Sequence, residues 1–276
     1  LHAALIEIGV GGGVMPQFGH LPYVMGEGNK KLSKRDPESS LLMYREQGFL
    51  PEGLLNYLAL LGWSIGDDRD FFSMKEMAEA FDVTRVSANP ARFDLKKCTA
   101  INGDWIRAIT ADDLAKRITP YLISAGHLPE VPNPAQLALL DQAVPLVQER
   151  METLSQGAAM LGFLFAQDPQ ASSEVSAGVA QFVIDESERA GLNADTDAVL
   201  KAAIAVLEPL AKWEAAEIEA ALRTSLVDGL GIKPKFAFGP VRVASAGRRV
   251  SPPLFESLEL LGRERSLARI QAAVIG

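Results

Sequence analysis

Pro51-Glu52-Gly53-Leu54-Leu55-Asn56-Tyr57-Leu58-Ala59-Leu60-Leu61-Gly62 is the stretch that settles the fold class. Proline suits the first helical turn, where its missing N–H would have no partner anyway. Glycine just past the last periodic residue is a natural helix stop. Between them Leu54, Leu55, Leu58 and Leu61 recur at helical spacing and predict a helix that buries a leucine face. The same grammar continues toward the C-terminus. Ser73-Met74-Lys75-Glu76 fits a capping box ahead of Met77 and Phe81. Thr110-Ala111-Asp112-Asp113 caps a helix carrying Leu114, Ile118, Tyr121 and Leu122, and Gly126 ends it. Periodic segments follow at about 135–165, 174–190, 196–211 and 213–230, with a linker at 168–173. Residues 233–253 lose the period and, with Pro234, Gly239, Pro240, Gly247, Pro252 and Pro253, read as loops before a last helix from 254 to the end. Toward the N-terminus lie a short helix at 41–47, a basic loop at 26–36, a strand at 17–25 and an apolar helix at 1–9. The chain therefore reads as mainly α, with a small α+β portion at its start.

The 276 residues carry a net charge of −8, and 48% are hydrophobic, enough for a real core in two or three domains. The acidic balance alone argues against a nucleic-acid partner, but its distribution does not. From residue 233 onward eight basic residues face three acidic ones, a net of +5, whereas 185–228 holds ten acids against four bases, a net of −6. Such asymmetry suits a protein that offers one face to a polyanion. The single cysteine, Cys98, rules out an internal disulfide and fits a reducing cytosol. No apolar run approaches the ~20 residues of a membrane span. The start, Leu1-His2-Ala3-Ala4, has no initiator Met and no signal-type stretch, and reads as a cut end.

The densest chemical signal is Gly28-Asn29-Lys30-Lys31-Leu32-Ser33-Lys34-Arg35. Four cations within six residues, on a glycine-flanked loop, could fold over a polyphosphate and neutralise charge during nucleotidyl transfer. Spacing alone serves a solvated charge run equally well. Gly9-Val10-Gly11-Gly12-Gly13 is not a dinucleotide fingerprint, because Val14 stands where the third glycine belongs. Trp63, Trp105 and Trp213 read as core, His2, His20 and His127 are scattered, and the acid pairs Asp67-Asp68 and Asp112-Asp113 read as a turn and a helix start. No metal-ligand spacing occurs.

Context singles out one reading of the loop. Phe18-Gly19-His20-Leu21-Pro22 followed by Gly26-Glu27-Gly28 and Lys31-Leu32-Ser33-Lys34-Arg35 resembles the second signature of class I aminoacyl-tRNA synthetases, usually written KMSKS. Tyr44-Arg45-Glu46-Gln47-Gly48-Phe49-Leu50-Pro51-Glu52, Asn89-Pro90-Ala91-Arg92-Phe93-Asp94 and Asn102-Gly103 continue the likeness. So do Gly239-Pro240-Val241-Arg242, Ser251-Pro252-Pro253-Leu254-Phe255-Glu256 and Leu260-Leu261-Gly262-Arg263-Glu264-Arg265. Their order resembles bacterial glutamyl-tRNA synthetases over nearly the whole chain. A glutaminyl-tRNA synthetase would usually end in β-barrels, whereas this tail reads helical.

The resemblance implies glutamate, ATP with Mg²⁺ and the tRNA for glutamate as partners of a monomeric, cytoplasmic enzyme that works through a glutamyl-adenylate. It implies catalytic roles for Lys31, Ser33 and Lys34, and ATP contacts from Lys31, Leu32, Lys34 and Arg35. For tRNA it implies Arg92, Lys97 and Arg107 on the stem, with Lys96 beside them. Arg150, Arg242, Pro252, Leu254 and Phe255 would then meet the anticodon, an unpaired loop whose bases side chains can read. Leu254 and Phe255 could instead be core residues, and Arg150 a solvated helix end. The expected architecture is elongated: an α+β stem-contact subdomain carrying the KMSKS-type loop (1–110), then two all-α anticodon-binding domains (111–171 and 172–276). No His-x-Gly-His pattern stands in the sequence, so the catalytic half is expected upstream of Leu1. The chain is thus expected to be a C-terminal, tRNA-binding portion, inactive alone and binding no cofactor. The alternative is a stand-alone tRNA-binding module.

Overall fold

In the computed structural model, which describes residues 1–9, 12, 18–26, 28, 30–66, 68–168 and 179–274, Pro51 does open a helix. The elements run α1 (His2–Glu7), β1 (Val24–Met25), α2 (Leu41–Gln47), α3 (Pro51–Ala59), α4 (Met74–Ala80), β2 (Ala91–Arg92), α5 (Leu95–Ala108) and α6 (Ala111–Ser124). They continue with α7 (Pro134–Ala143), α8 (Pro145–Gln148), α9 (Leu154–Phe165), α10 (Glu186–Arg189), α11 (Ala194–Leu207) and α12 (Ala215–Leu222). A π-helix (Arg223–Gly229), α13 (Pro234–Ala246), α14 (Leu254–Leu261) and α15 (Arg263–Ala272) complete the chain. β1 and β2 pair in parallel, Val24 opposite Ala91 and Met25 opposite Arg92. The expected fold class holds: a small α+β subdomain precedes a long α-helical region.

The face that α3 buries is not the expected one. Leu55 and Leu58 are exposed, while Gly53, Asn56 and Tyr57 face inward. The buried Asn56 amide explains this: its Oδ1 accepts from Trp105 Nε1 at 3.0 Å, and its Nδ2 donates to the Asp70 carbonyl at 2.8 Å. Gly53 packs against α5, where a Cβ would lie 2.6 Å from Asn102 Oδ1. Asn102 ties three segments together. It accepts from Leu50 N–H at 2.8 Å and donates to the Glu152 carbonyl at 2.6 Å. At Gly48 the backbone is left-handed (φ 82°), and a side chain there would strike Leu154.

The expected strand over 17–25 shrinks to two residues. Gln17 lies outside the described residues, and Phe18, Leu21 and Tyr23 are exposed, so no apolar face holds a longer ladder. Residues 233–253 hold the opposite surprise, since α13 occupies most of that expected loop. Pro234 sits in its first turn, and burial of Ala237, Val241, Val243 and Ala244 outweighs the cost of Pro240 inside it. The last helix is two, broken at Gly262 (φ 83°). The expected capping box at Ser73 and the Thr110 cap both form. Of the expected helix at 174–190 only α10 is helical among the described residues, and 169–173 of the expected linker, like Val10, Gly11 and Gly13 of the glycine loop and Asp67 of the acidic turn, lie outside them.

Three apolar clusters organise the chain. Tyr44, Phe49, Tyr57, Cys98 and Ile101 form the first. Leu114, Ile118, Leu122, Val147 and Leu161 anchor the second, which also takes in Leu50 and Ile106 from the α+β part. The third gathers Leu200, Leu207, Leu222, Val241, Leu258 and Ile270. Burial pushes the Cys98 thiol up to about 12, so it is an inert core residue.

Candidate nucleotide and RNA-binding sites

The loop at 30–36 is a built turn. Leu32 N–H donates to the Val24 carbonyl at 2.9 Å and Gly26 N–H to the Lys30 carbonyl at 2.8 Å, pinning both ends to β1. Ser33 N–H donates to Asp36 Oδ2 at 2.6 Å, and Ser33 Oγ accepts from Arg35 N–H at 3.2 Å. Ser33 therefore shapes the turn that exposes Lys34 and Arg35. Lys31 Nζ sits 3.6 Å above the Tyr23 ring. Glu27 and Asn29 lie outside the described residues. A cavity of about 930 Å³ opens beside the turn, lined by Lys30, Lys31, Leu32 and Asp36, by Arg92 on β2, by Asp94 and Lys96 at the start of α5, and by Glu152. That volume is in the range of about 300–1,000 Å³ typical of small-ligand sites.

The stem candidates do not converge. Arg92 lies on β2 opposite Met25, at the cavity. Lys97 pairs with Asp70 at 2.7 Å and Arg107 with Asp104 at 2.6 Å, at opposite ends of α5. Both acids are exposed, and such pairs are weak enough for a phosphate to displace them. The C-terminal end of α5 is gripped by Gln148, whose Nε2 donates to the Ile106 and Ile109 carbonyls at 2.9 and 2.8 Å.

The anticodon candidates, by contrast, meet. Arg150 reaches the Ser251 carbonyl at 3.5 Å from beyond α8. Arg242 on α13 donates to Ser251 Oγ at 3.0 Å and to the Pro252 carbonyl at 2.7 Å. Burial, then the charge of Arg150, lowers the Arg242 pKa from the ordinary arginine value, and Glu256 opposes them. Glu256 Oε2 is buried without a hydrogen bond. Phe255 stands edge-on to Phe238 at 5.3 Å. Leu254 is 3% exposed and belongs to the third core, so it supports this surface from below. Ser251 and Glu256 were not legible as site residues; their only signal is a polar flank around Pro252-Pro253.

The basic tail is mostly spent internally, which corrects its reading as an open cationic face. Arg248 pairs with Asp185, Arg249 with Glu188, and Arg263 donates to the Leu210 carbonyl. Arg265 and Arg269 both bond Asp168; Arg265 also donates to the Leu164 and Ala166 carbonyls at 2.8 and 2.6 Å. Arg269, 3% exposed, donates to the Ser245 carbonyl at 2.9 Å and lies 3.7 Å over the Phe182 ring. Asp168 is thus an ionic anchor, not a linker residue.

Residues 113–274, more than half of the chain, match the family model described as an anticodon binding domain. The chain belongs to that family. Residues 11–100 of this anticodon-binding-domain protein also match the model for the catalytic domain of class I tRNA synthetases (E and Q). It is 55% identical over 271 residues to a glutamate–tRNA ligase of Kineococcus radiotolerans, covering 98% of this chain and 52% of that one. To the glutamate–tRNA ligase of Saccharopolyspora erythraea it is 57% identical over 272 residues, with 99% and 52% covered. The chain spans about half the length of the curated relatives it matches. The crystal structure of a glutamate tRNA ligase from Elizabethkingia meningosepticum shares its fold, with a TM-score of 0.73 at 23% identity, over 99% of this chain and 54% of that one.

The catalytic-domain match corrects several expectations. The anticodon-binding-domain protein is not confined to a C-terminal, tRNA-binding portion, because catalytic-domain sequence stands beside the anticodon-binding part. The expectation that the chain lacks its catalytic half, upstream of Leu1, fails with it. So do those of a module without catalysis, of inactivity, and of no bound ATP and Mg²⁺. The difference lies in how the region is apportioned: sequence reading assigns residues 1–110 to the KMSKS-type loop and a stem-contact fold, whereas the family model counts 11–100 as catalytic domain.

Proposed function

We propose that the chain serves glutamate–tRNA ligation, contributing the ATP-signature loop and the tRNA-reading surfaces. Glutamate and ATP would give glutamyl-adenylate and pyrophosphate, and the glutamyl group would pass to the tRNA with release of AMP. The observation that carries this reading is the pinned turn beside the cavity, which holds Lys34 exposed at its tip with no ion-pair partner among the described residues. Lys31 and Lys34 would meet the charge that develops on the triphosphate, where preorganised cations lower the barrier most. Ser33 would keep the turn in shape, Leu32 would offer its backbone to the adenine, and Arg35 would add charge at the same tip. Mg²⁺ would arrive with the nucleotide. Among the described residues no cluster of three potential metal ligands exists.

Arg92, Lys97 and Arg107 would hold the tRNA stem; Arg150, Arg242, Pro252, Leu254 and Phe255 would form the anticodon site. Units at 1–110, 111–171 and 172–276 are each centred on one apolar cluster, the middle one also taking in Leu50 and Ile106 from the first unit and Ala246 and Leu261 from the last. A monomer acting in the cytoplasm belongs to this reading through its role in translation. Calorimetric titration of ATP with Mg²⁺ tests it. The wild-type chain should bind, and Lys34→Ala should bind about tenfold more weakly, a loss of ~1.4 kcal/mol. Equal affinity in both, or no binding to either, would sink the assignment of the loop.

A further inference from the structure

Tyr23 carries a large ring that the core does not use. It is 61% exposed and belongs to none of the three apolar clusters. Backbone pairing fixes what it faces. Lys31 forms an antiparallel bridge with Met25, and Leu32 N–H donates to the Val24 carbonyl at 2.9 Å. In such a pairing the residue two before Met25 is a diagonal neighbour of Lys31 on the same face, within reach of an aromatic or long side chain. That residue is Tyr23, and the Lys31 ammonium lies 3.6 Å from its ring centroid.

Lys31 lines the cavity together with Lys30, Arg92 and Lys96. Two acids on the same wall are engaged elsewhere: Asp36 accepts from Ser33 N–H, and Asp94 caps α5 through Lys96 and Lys97 N–H. Among the described residues no carboxylate pairs with Lys31. A carboxylate would hold the ammonium but cancel its charge, and an incoming phosphate would have to displace it. The face of a ring attracts the ammonium and leaves the charge whole. Lysine has a flexible four-carbon stem, so an ammonium already held has given up freedom that ligand binding would otherwise take from it.

We propose that Tyr23 is a positioning residue for the nucleotide site. Its ring keeps the Lys31 ammonium at the cavity wall, fully charged and placed in advance for the polyphosphate of ATP. Tyr23 acts through Lys31 and not on the nucleotide itself. The proposal rests on the ATP-binding role given above to Lys31 and Lys34.

The test is calorimetric titration of the full chain with ATP and Mg²⁺. It compares the wild type with Tyr23→Phe, Tyr23→Leu, Lys31→Ala, Lys34→Ala and the double variant Tyr23→Leu with Lys31→Ala. Tyr23→Leu should bind about two- to fivefold more weakly, the worth of a surface cation–π contact. Tyr23→Phe keeps the ring face and should bind like the wild type. With Lys31→Ala already in place, Tyr23→Leu should cost nothing more. Wild-type or tighter binding by Tyr23→Leu, while Lys34→Ala is weakened, would overturn the proposal and leave the nucleotide reading standing. So would equal losses in Tyr23→Phe and Tyr23→Leu, a full loss from Tyr23→Leu in the Lys31→Ala background, or wild-type affinity for Lys31→Ala. If the wild type does not bind, or Lys34→Ala binds as well as it does, the reading of the loop fails, and the proposal with it.

Discussion

Arg150 and Arg242 converge on a single residue: Arg150 donates to the Ser251 carbonyl at 3.5 Å, and Arg242 to the Ser251 hydroxyl at 3.0 Å. Two like charges drawn together beside buried surface repel each other, and an anionic or carbonyl-bearing ligand between them would relieve that repulsion. Residues from two helical units thereby form one place able to hold such a ligand.

Substitution should separate the two arginines by role. Arg150→Gln should weaken binding of the cognate tRNA by about 1–3 kcal/mol, by analogy with mismatch costs on DNA, and flatten the preference at one anticodon base. Arg242→Ala should cost binding as much and also lower stability, because it strands the Ser251 and Pro252 acceptors. Filter binding with each anticodon base changed, at two salt concentrations, gives the answer. Salt-sensitive affinity that ignores the anticodon would leave only phosphate contacts here.

Asp168→Asn should be severe. It leaves Arg265 and Arg269 without their shared carboxylate, and Arg269 is 3% exposed. Breaking a buried pair from one side costs about 3–5 kcal/mol. Urea unfolding should show the midpoint falling at unchanged slope.

Acid should loosen the same region. Burial pushes Asp168 up, but hydrogen bonds from Arg269 and Arg265 outweigh it and hold the carboxyl below the ordinary range. Its contribution is present above the unfolded value near 3.9 and fades as pH falls through the folded value. Burial, then the charge of Arg248, lowers the His127 pKa. The unfolded chain therefore takes up a proton first as pH drops, and stability declines below about 6.5. Urea midpoints at pH 7.5, 5.5 and 3 should fall in that order, and His127→Gln should flatten the step between the first two.

Asn102→Ala should strand the buried Leu50 N–H, at about 1–3 kcal/mol, and release the part-buried Glu152 carbonyl. Hydrogen exchange should quicken at Leu50 and in the first turn of α3. Unchanged exchange there would show that the amide is not what holds that turn.

Much of this was legible in the sequence, unevenly. Caps at Ser73 and Thr110 depend on neighbours three residues away, and both formed as expected. The buried face of α3 was misjudged because hydrophobicity points to Leu55 and Leu58, while Asn56 is drawn inward by partners at 70, 72 and 105. α13 was hidden by Pro240 and Gly239, whose local cost is outweighed by burial that only the tertiary fold supplies. The loop at 30–36 announced its cations, but its turn depends on the Ser33–Asp36 spacing, which composition obscures. In the tail, charge alone could not tell Arg269, bonded in the core, from Lys235 on the surface.

α5 works as a gauge. Its first turn lines the cavity beside the loop, and its far end is clamped by Gln148, two residues before Arg150. Fourteen residues at 1.5 Å each make a rod of about 21 Å between them. Loops elsewhere can lengthen without moving either site, but one residue added inside this rod would turn its ends by about 100° relative to each other. The spacing between the cationic loop and the cluster around Arg150 is thus written in the length of a single helix.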